Sequence, residues 1–84
     1  MPYEIRLTRP ARKDIDALTA KERSKLRDIL VNLVGESPYA GKKLLGDLAG
    51  RYSVRLNLKD RVVYRVDEAR KIVYVLRART HYGD

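Results

Sequence analysis

The chain has 84 residues, a length that fits one domain, so we expect a single domain over residues 1–84. Hydrophobic residues make up 44% of the chain, which excludes a disordered tail and indicates a folded core. The absence of cysteine excludes disulfides and thiolate metal sites, and no apolar run reaches the length of a membrane span or a signal peptide. These features predict a cytoplasmic protein that does not associate with membranes.

The charge of the chain is strongly positive. Lysine and arginine total 19 against 11 acidic residues, which gives a formal net charge of +8. Such a field favours a polyanion, RNA or DNA, that is bound through its phosphates with release of counterions. An acidic protein partner fits the charge equally well, and a role in solubility alone is the third interpretation.

The first half of the chain predicts a strand and two helices. Alternating residues at 3–7 indicate a short strand, and Thr8 marks the start of the first helix. Thr19 and Glu22 have the spacing of a capping box, which starts a second helix that ends at Gly35. The apolar stripe of this helix has core-facing spacing and consists of Leu26, Ile29, Leu30, Leu33 and Val34.

The second half of the chain predicts a run of strands. We expect a short strand at 41–45, an alternating strand at 52–58, and further strands at 61–66 and 71–79. The element order predicts an α+β fold with an N-terminal strand and a helical hairpin packed on one face of a mainly antiparallel twisted sheet. The arginines would then lie on the other face.

Four arginines lie on neighbouring predicted strands: Arg55, Arg61, Arg77 and Arg79. If these strands pair, several guanidinium groups converge near one end of the sheet. There they would clamp a scissile phosphate and stabilise the added charge of a pentacovalent transition state. A solvated polar face is the alternative interpretation, because the sequence does not fix side-chain direction across the turns.

Other candidate residues lie at the end of the chain and before the run of strands. An imidazole titrates near neutral pH, so His81 is suited to proton transfer beside a phosphate, although chain ends are commonly idle. Tyr82 is suited to stack on an RNA base or to pack at a rim. Lys42 and Lys43 are suited to hold phosphates, to take part in proton transfer, or to act as surface charge. One histidine with scattered carboxylates forms no plausible set of metal ligands, so we expect no metal and no other cofactor.

Three segments together resemble one protein family: LAGRYSVRL at 48–56, RVVYRV at 61–66 and RTHY at 79–82. Nearly the whole chain resembles the RelE/ParE superfamily of bacterial toxins, and its second half is similar to the YoeB/Txe branch. This resemblance implies the toxin of a type II toxin–antitoxin system, an endoribonuclease that cuts mRNA on the ribosome. In that reaction the 2′-hydroxyl attacks the adjacent phosphate and leaves a 2′,3′-cyclic phosphate and a 5′-hydroxyl.

The resemblance also implies roles for individual residues. By position, Arg61 would stabilise the transition-state phosphate with help from Arg55, His81 would be the general acid, and Tyr82 would orient the substrate. Where YoeB-like toxins have a glutamate, this chain has Lys42, so the base is either a lysine or a group that the sequence does not identify. The remaining cations expected to bind RNA are Lys43, Arg77 and Arg79.

The partners implied by the resemblance are the ribosome with its mRNA, and a cognate antitoxin through which oligomers would form. The main alternative is a ParE-like toxin, which has the same fold and inhibits DNA gyrase without being an enzyme. ParE-type chains generally lack the ending at 81–82, which therefore favours the ribonuclease. A basic nucleic-acid-binding module without toxicity is the second alternative.

Overall fold

The fold comes from a computed structural model that describes residues 3–46 and 49–79. His81 and Tyr82, for which the sequence predicts roles in catalysis, lie outside the described residues. The side chain of Leu33, which the sequence predicts to face the core, also lies outside them. Within the described ranges, no helix is both long enough and apolar enough to cross a membrane.

In the described part of the chain, one strand and two helices precede four more strands. Strand β1 spans Glu4–Leu7, and helices α1 and α2 span Arg9–Asp16 and Ala20–Asp28. Helix α2 continues as a π-helical segment over Ile29–Val34, and a short 3₁₀ turn follows at Pro38–Ala40. The remaining strands are β2 at Lys42–Lys43, β3 at Arg51–Arg55, β4 at Arg61–Asp67 and β5 at Ile72–Arg79.

These five strands form a single mixed sheet in the order β1-β5-β4-β3-β2. The edge strand β1 runs parallel to β5, and every other neighbouring pair is antiparallel. The helices pack on one face of the sheet, which confirms the predicted α+β class. The N-terminal strand is itself part of the sheet, because the helical hairpin provides the crossover that a parallel pair requires.

Both predicted helix starts are present. The Thr8 hydroxyl accepts a hydrogen bond from the Ala11 amide at 3.3 Å, which caps α1. In the capping box of α2, Thr19 accepts from the Glu22 amide at 3.1 Å and Glu22 accepts from the Thr19 amide at 3.0 Å. These local bonds satisfy amides that have no partner within a helix, so the sequence signal and the structure agree.

The end of the second helix differs from the regular α-helix that the sequence predicts. The amide of Gly35 bonds the carbonyl of Leu30 at 2.7 Å, five residues back, as in a π-helix. A Cβ atom at Gly35 would lie 3.0 Å from the carbonyl oxygens of Leu30 and Val31, so glycine permits this close approach. Leu26 and Val34 of the predicted stripe are still buried.

The core lies between the helices and the sheet face that they cover. It is formed mainly by aliphatic residues from all of these layers: Ala11, Leu26, Leu30, Val34, Leu56, Val62, Tyr64, Val73, Val75 and Ala78. Burial of this apolar surface is the main force that joins the hairpin to the sheet.

A β-bulge in β5 changes which of its residues face the core. Val75 and Ala78 are both fully buried, although they are three residues apart and strand residues alternate between faces. A shift in the pairing of β4 with β5 leaves Leu76 as the extra residue that reconciles these positions. Beyond the bulge, Arg77 and Arg79 therefore take the outer face, meaning the face of the sheet opposite the helices.

The predicted strand at 52–58 is wrong at its end. Strand β3 stops at Arg55, and Leu58 is 92% exposed in the turn that follows. The side-chain oxygen of Asn57 accepts from the amides of Lys59 and Asp60 at 2.7 and 2.6 Å. This local bonding competes with the strand ladder, as is common for asparagine in turns, and it overrides the apolar alternation.

The segment before the sheet is held by a buried tyrosine. Tyr64 of β4 is fully buried and its hydroxyl donates to the carbonyl of Pro38. Gly41 lies against the same hydroxyl, where a Cβ would come within 2.3 Å of the oxygen. The side chain of Tyr64 thus fixes the path of the chain into β2.

We predict that Tyr64→Phe lowers the free energy of unfolding by about 1–2 kcal/mol, because the Pro38 carbonyl loses its buried donor. Urea denaturation measures this change. The matched control is Tyr74→Phe, since the Tyr74 hydroxyl has no hydrogen bond within the described residues and its ring would still stack on Arg65. Equal stability of the two variants would contradict the assigned role.

Candidate functional site

Three arginines form a row across the outer face of the sheet. Arg61 begins β4 and pairs directly with Arg55 of β3 on one side and Arg79 of β5 on the other. Residues directly opposite in an antiparallel pair project from the same face, with Cβ atoms roughly 5 Å apart. We call Arg55, Arg61 and Arg79 the arginine row, and it brings together three of the predicted site residues.

In the described part of the chain, no carboxylate bonds the arginine row directly, although the charge of Arg79 acts on Asp14. Among residues 3–46 and 49–79, no carboxylate forms an ion pair with Arg55, Arg61 or Arg79. Like charges directly opposite each other destabilise a sheet. The arrangement therefore costs stability unless an anion binds, and guanidinium groups match the geometry of phosphate oxygens.

The opposite end of the sheet shows the contrast. In the turn after β4, Glu68 accepts from Lys71 and from the hydroxyls of Tyr3 and Tyr39, the last two at 2.6 and 2.8 Å. The Lys71 bond and the two tyrosine bonds lower the pKa of Glu68 to about 2. The charge of Glu68 is therefore satisfied within the protein, whereas no carboxylate of the described residues forms an ion pair with the arginine row.

Lys42 and Ser53 lie next to the arginine row on the outer face. Lys42 pairs directly with Ser53, and Ser53 is two residues before Arg55 on the same strand. The Ser53 hydroxyl is almost fully buried and lies 3.4 Å from Nη1 of Arg61. Lys42 therefore belongs to the same surface as the arginine row, while Lys43, which pairs with Tyr52, takes the opposite face.

Arg77 does not join the arginine row. Its guanidinium bonds Asp14 of α1 through Nε at 2.8 Å and Nη2 at 3.2 Å. Of the four arginines considered for convergence, Arg77 is therefore the one whose guanidinium lies apart from the others. The bulge gives Arg77 the outer face, but Asp14 draws its side chain back towards α1 at the edge of β5.

Asp14 also replaces a missing strand at that edge. The last residue of β1 pairs with Val75, so the final residues of β5 have no β1 neighbour. Beyond that point Thr8 donates to the carbonyls of Val75 and Leu76, and Asp14 accepts from the Ala78 amide at 3.0 Å. Side chains at the two ends of α1 thus continue the hydrogen bonding of the sheet edge up to Ala78.

Two opposing effects act on the pKa of Asp14, whose side chain is 8% exposed. Burial opposes ionisation and raises the pKa. The bonds from Arg77 and the Ala78 amide, together with the charge of Arg79, outweigh burial and lower it. Asp14 therefore stabilises the fold as a carboxylate.

The turn between Arg55 and Arg61 is tied to the second helix. The side-chain nitrogen of Asn57, Nδ2, donates to the carboxylates of Glu22 at 3.0 Å and Asp60 at 3.1 Å. Glu22 uses its other oxygen in the capping box of α2. Asp14 and Glu22 thus connect the helices to the three strand ends that present the arginine row.

Sequence reasoning missed two residues of this region. Ser53 was noted only as part of a motif, although a buried hydroxyl beside an arginine is a polar group that needs a partner. Asp14 lies among the charged residues of α1, and no local pattern indicates a partner 63 residues away. Within the described ranges, no three acidic or histidine side chains are grouped as metal ligands.

Comparisons with known proteins relate the chain to bacterial toxins. It is 32% identical over 78 residues to Toxin RelG of Mycobacterium tuberculosis, covering 92% of this chain and 88% of that protein. It is similar to the solved toxin–antitoxin complex RelBE2 of Mycobacterium tuberculosis, with a TM-score of 0.86, 29% identity, and coverage of 96% and 93%. It is also similar to the YoeB/ParE toxin of Agrobacterium tumefaciens, with a TM-score of 0.84, 29% identity, and coverage of 94% and 99%. No family model matches the chain.

We predict that Asp14→Ala lowers the free energy of unfolding at pH 7 by about 2 kcal/mol, since Arg77 and the Ala78 amide lose a charged acceptor. The folded pKa of Asp14 is lower than the unfolded value of about 3.9. Its contribution is therefore complete above that value and is lost as pH falls through the folded pKa.

Urea denaturation from pH 7 to pH 3 tests this prediction, and the difference between wild type and variant should shrink at the acid end. Asp16→Ala is the matched control, because Asp16 is an exposed residue of the same helix. A pH-independent difference, or equal losses in both variants, would contradict the role of the Asp14 carboxylate.

Proposed function

Because this chain belongs to the RelE/ParE superfamily of bacterial toxins, we propose that it is the toxin of a type II toxin–antitoxin system. Its proposed activity is that of an endoribonuclease that cuts mRNA on the ribosome. The observation that supports this activity most directly is the arginine row, three adjacent guanidinium groups without a carboxylate partner in the described chain. Such a group of donors suits a phosphate that gains negative charge during reaction.

The proposed reaction needs no external reagent. The 2′-oxygen of one nucleotide attacks the adjacent phosphorus, and the bond from phosphorus to the 5′-oxygen of the next nucleotide breaks. The products are a 2′,3′-cyclic phosphate and a 5′-hydroxyl. Arg61, the central member of the arginine row, stabilises the pentacovalent intermediate, and Arg55 and Arg79 bind the same linkage from the two sides.

Proton transfer completes the proposed mechanism. We assign the neutral amine form of Lys42 as the group that takes the 2′-hydroxyl proton, because Lys42 lies opposite Ser53, whose hydroxyl contacts Arg61. His81 protonates the leaving 5′-oxygen, and Tyr82 orients the substrate. These last two roles rest on the family resemblance of the chain.

A cognate antitoxin is the proposed protein partner. One similar solved structure is a toxin–antitoxin complex. The chain carries a net charge of +8, so an acidic segment would be attracted to the arginine row and would block entry of RNA.

We predict that the wild-type protein cuts translated mRNA and that Arg61→Gln slows cleavage about 100-fold, because one transition-state donor is lost. Primer extension on programmed ribosomes measures the cleavage. The free energy of unfolding should stay within about 1 kcal/mol of the wild type or rise, since removing one of three adjacent like charges relieves repulsion.

Arg70→Gln is the matched control for charge. Arg70 lies in the turn after β4, three residues beyond Asp67, and its side chain is 74% exposed. Arg61 is at the other end of this strand, roughly 20 Å from Asp67. The Arg70→Gln variant should cleave mRNA at the same rate as the wild type. Growth arrest without mRNA cleavage, together with inhibited supercoiling by gyrase, would favour the ParE-like alternative.

A further inference from the structure

An open cleft of about 750 Å³ borders the arginine row at the end of β5. Helix α1 contributes Arg9 and Lys13 to its lining, and strand β5 contributes Arg79. Arg9 and Lys13 are four residues apart, so they lie on the same side of the helix. Arg79 therefore belongs both to the arginine row and to this cleft.

The acidic residues of the cleft are already bonded within the protein. Asp14 accepts from Arg77 and from a backbone amide. Glu22 uses one oxygen in the capping box and the other to accept from Asn57. Asp60 also accepts from Asn57, at 3.1 Å.

The three other cations of the cleft are not bonded in this way. Within the described residues, the side chains of Arg9, Lys13 and Arg79 form no hydrogen bond and no ion pair. Arg77 is paired with Asp14, so the other charged side chains of the lining are these three cations and the carboxylates of Glu22 and Asp60. The formal charge of the lining is therefore net positive. The cleft also has an apolar part, to which Pro10, Ala17 and Leu18 contribute.

We propose that this cleft binds the nucleotide next to the cleaved linkage, with its phosphate on Arg9 and Lys13 and its base against the apolar part. The inference rests on the proposed function, because the arginine row must hold the neighbouring linkage. Three observations support it. Arg79 joins the two sites, the formal charge of the lining is net positive, and the volume suits a nucleotide. The occupant is the same RNA strand that is cut.

The first test measures binding without cleavage. The probe is a fluorescent RNA hexanucleotide with 2′-O-methyl groups, which has no attacking hydroxyl, and anisotropy gives its Kd at several salt concentrations. The variant Arg9→Gln/Lys13→Gln should bind about 10-fold more weakly. Its slope of log Kd against log salt should fall by about 1.4, since each contact to a single strand contributes about 0.7.

The matched control is Arg12→Gln/Lys21→Gln, which removes the same charge from exposed positions that do not line the cleft. Its affinity and salt slope should stay close to those of the wild type. Equal losses in the two double variants would mean that only the overall charge matters, and this result would overturn the proposal.

The second test identifies the source of the phosphate. On programmed ribosomes, an mRNA with a neutral methylphosphonate beside the cleaved linkage should lower kcat/KM for the wild type about 10-fold. It should have little further effect on Arg9→Gln/Lys13→Gln. If the wild type is insensitive to this change while the variant remains impaired, the cleft contacts ribosomal RNA and the assignment to the cut strand is wrong.

The two tests separate this inference from the proposed function. If the wild type cuts no mRNA but still binds the hexanucleotide through Arg9 and Lys13, the nuclease proposal fails and the cleft remains a nucleotide site. If the wild type cuts mRNA and both double variants bind the hexanucleotide alike, the nuclease proposal stands and the cleft assignment fails.

Discussion

The β-bulge at Leu76 is the feature on which the candidate site depends. Strand residues alternate between faces, so without an extra residue Arg79 would point towards the helices while Ala78 would face outward. The bulge reverses this order, which buries Ala78 in the core and sets Arg79 opposite Arg61. A single irregularity in one strand thus completes the arginine row, in keeping with the known role of bulges in redirecting side chains.

Repulsion within the arginine row destabilises the sheet, and the core and the helices compensate for this repulsion. Adjacent like charges weaken the pairing of the strands, but the core and the helices hold those strands in place. Asp14 of α1 accepts a hydrogen bond from the Ala78 amide near the end of β5. Glu22 of α2 accepts one from Asn57 in the turn between β3 and β4. The helices therefore do more than cover the core, because they fix the geometry of unpaired charges that a ligand would neutralise.

The sequence predicted those parts of the fold that local chemistry determines. The capping residues Thr8 and Thr19 act over a few residues and are confirmed. The alternation that marks the strands is also local, and it is confirmed except after Arg55, where the turn ends β3. The π-helical end at Gly35 and the bulge at Leu76 depend on packing between distant segments, so no local pattern revealed them. For the same reason the convergence of Arg55, Arg61 and Arg79 was one of two interpretations, and the bond of Arg77 to α1 was missed.

The most direct test is a cryo-electron microscopy structure of the protein on a ribosome programmed with mRNA. The mRNA would carry 2′-O-methyl groups, so that the linkage stays intact. We predict that one phosphate lies within hydrogen-bond distance of Arg61, with Arg55 and Arg79 on its two sides. An mRNA that passes over another surface, with no phosphate near the arginine row, would contradict the proposed function.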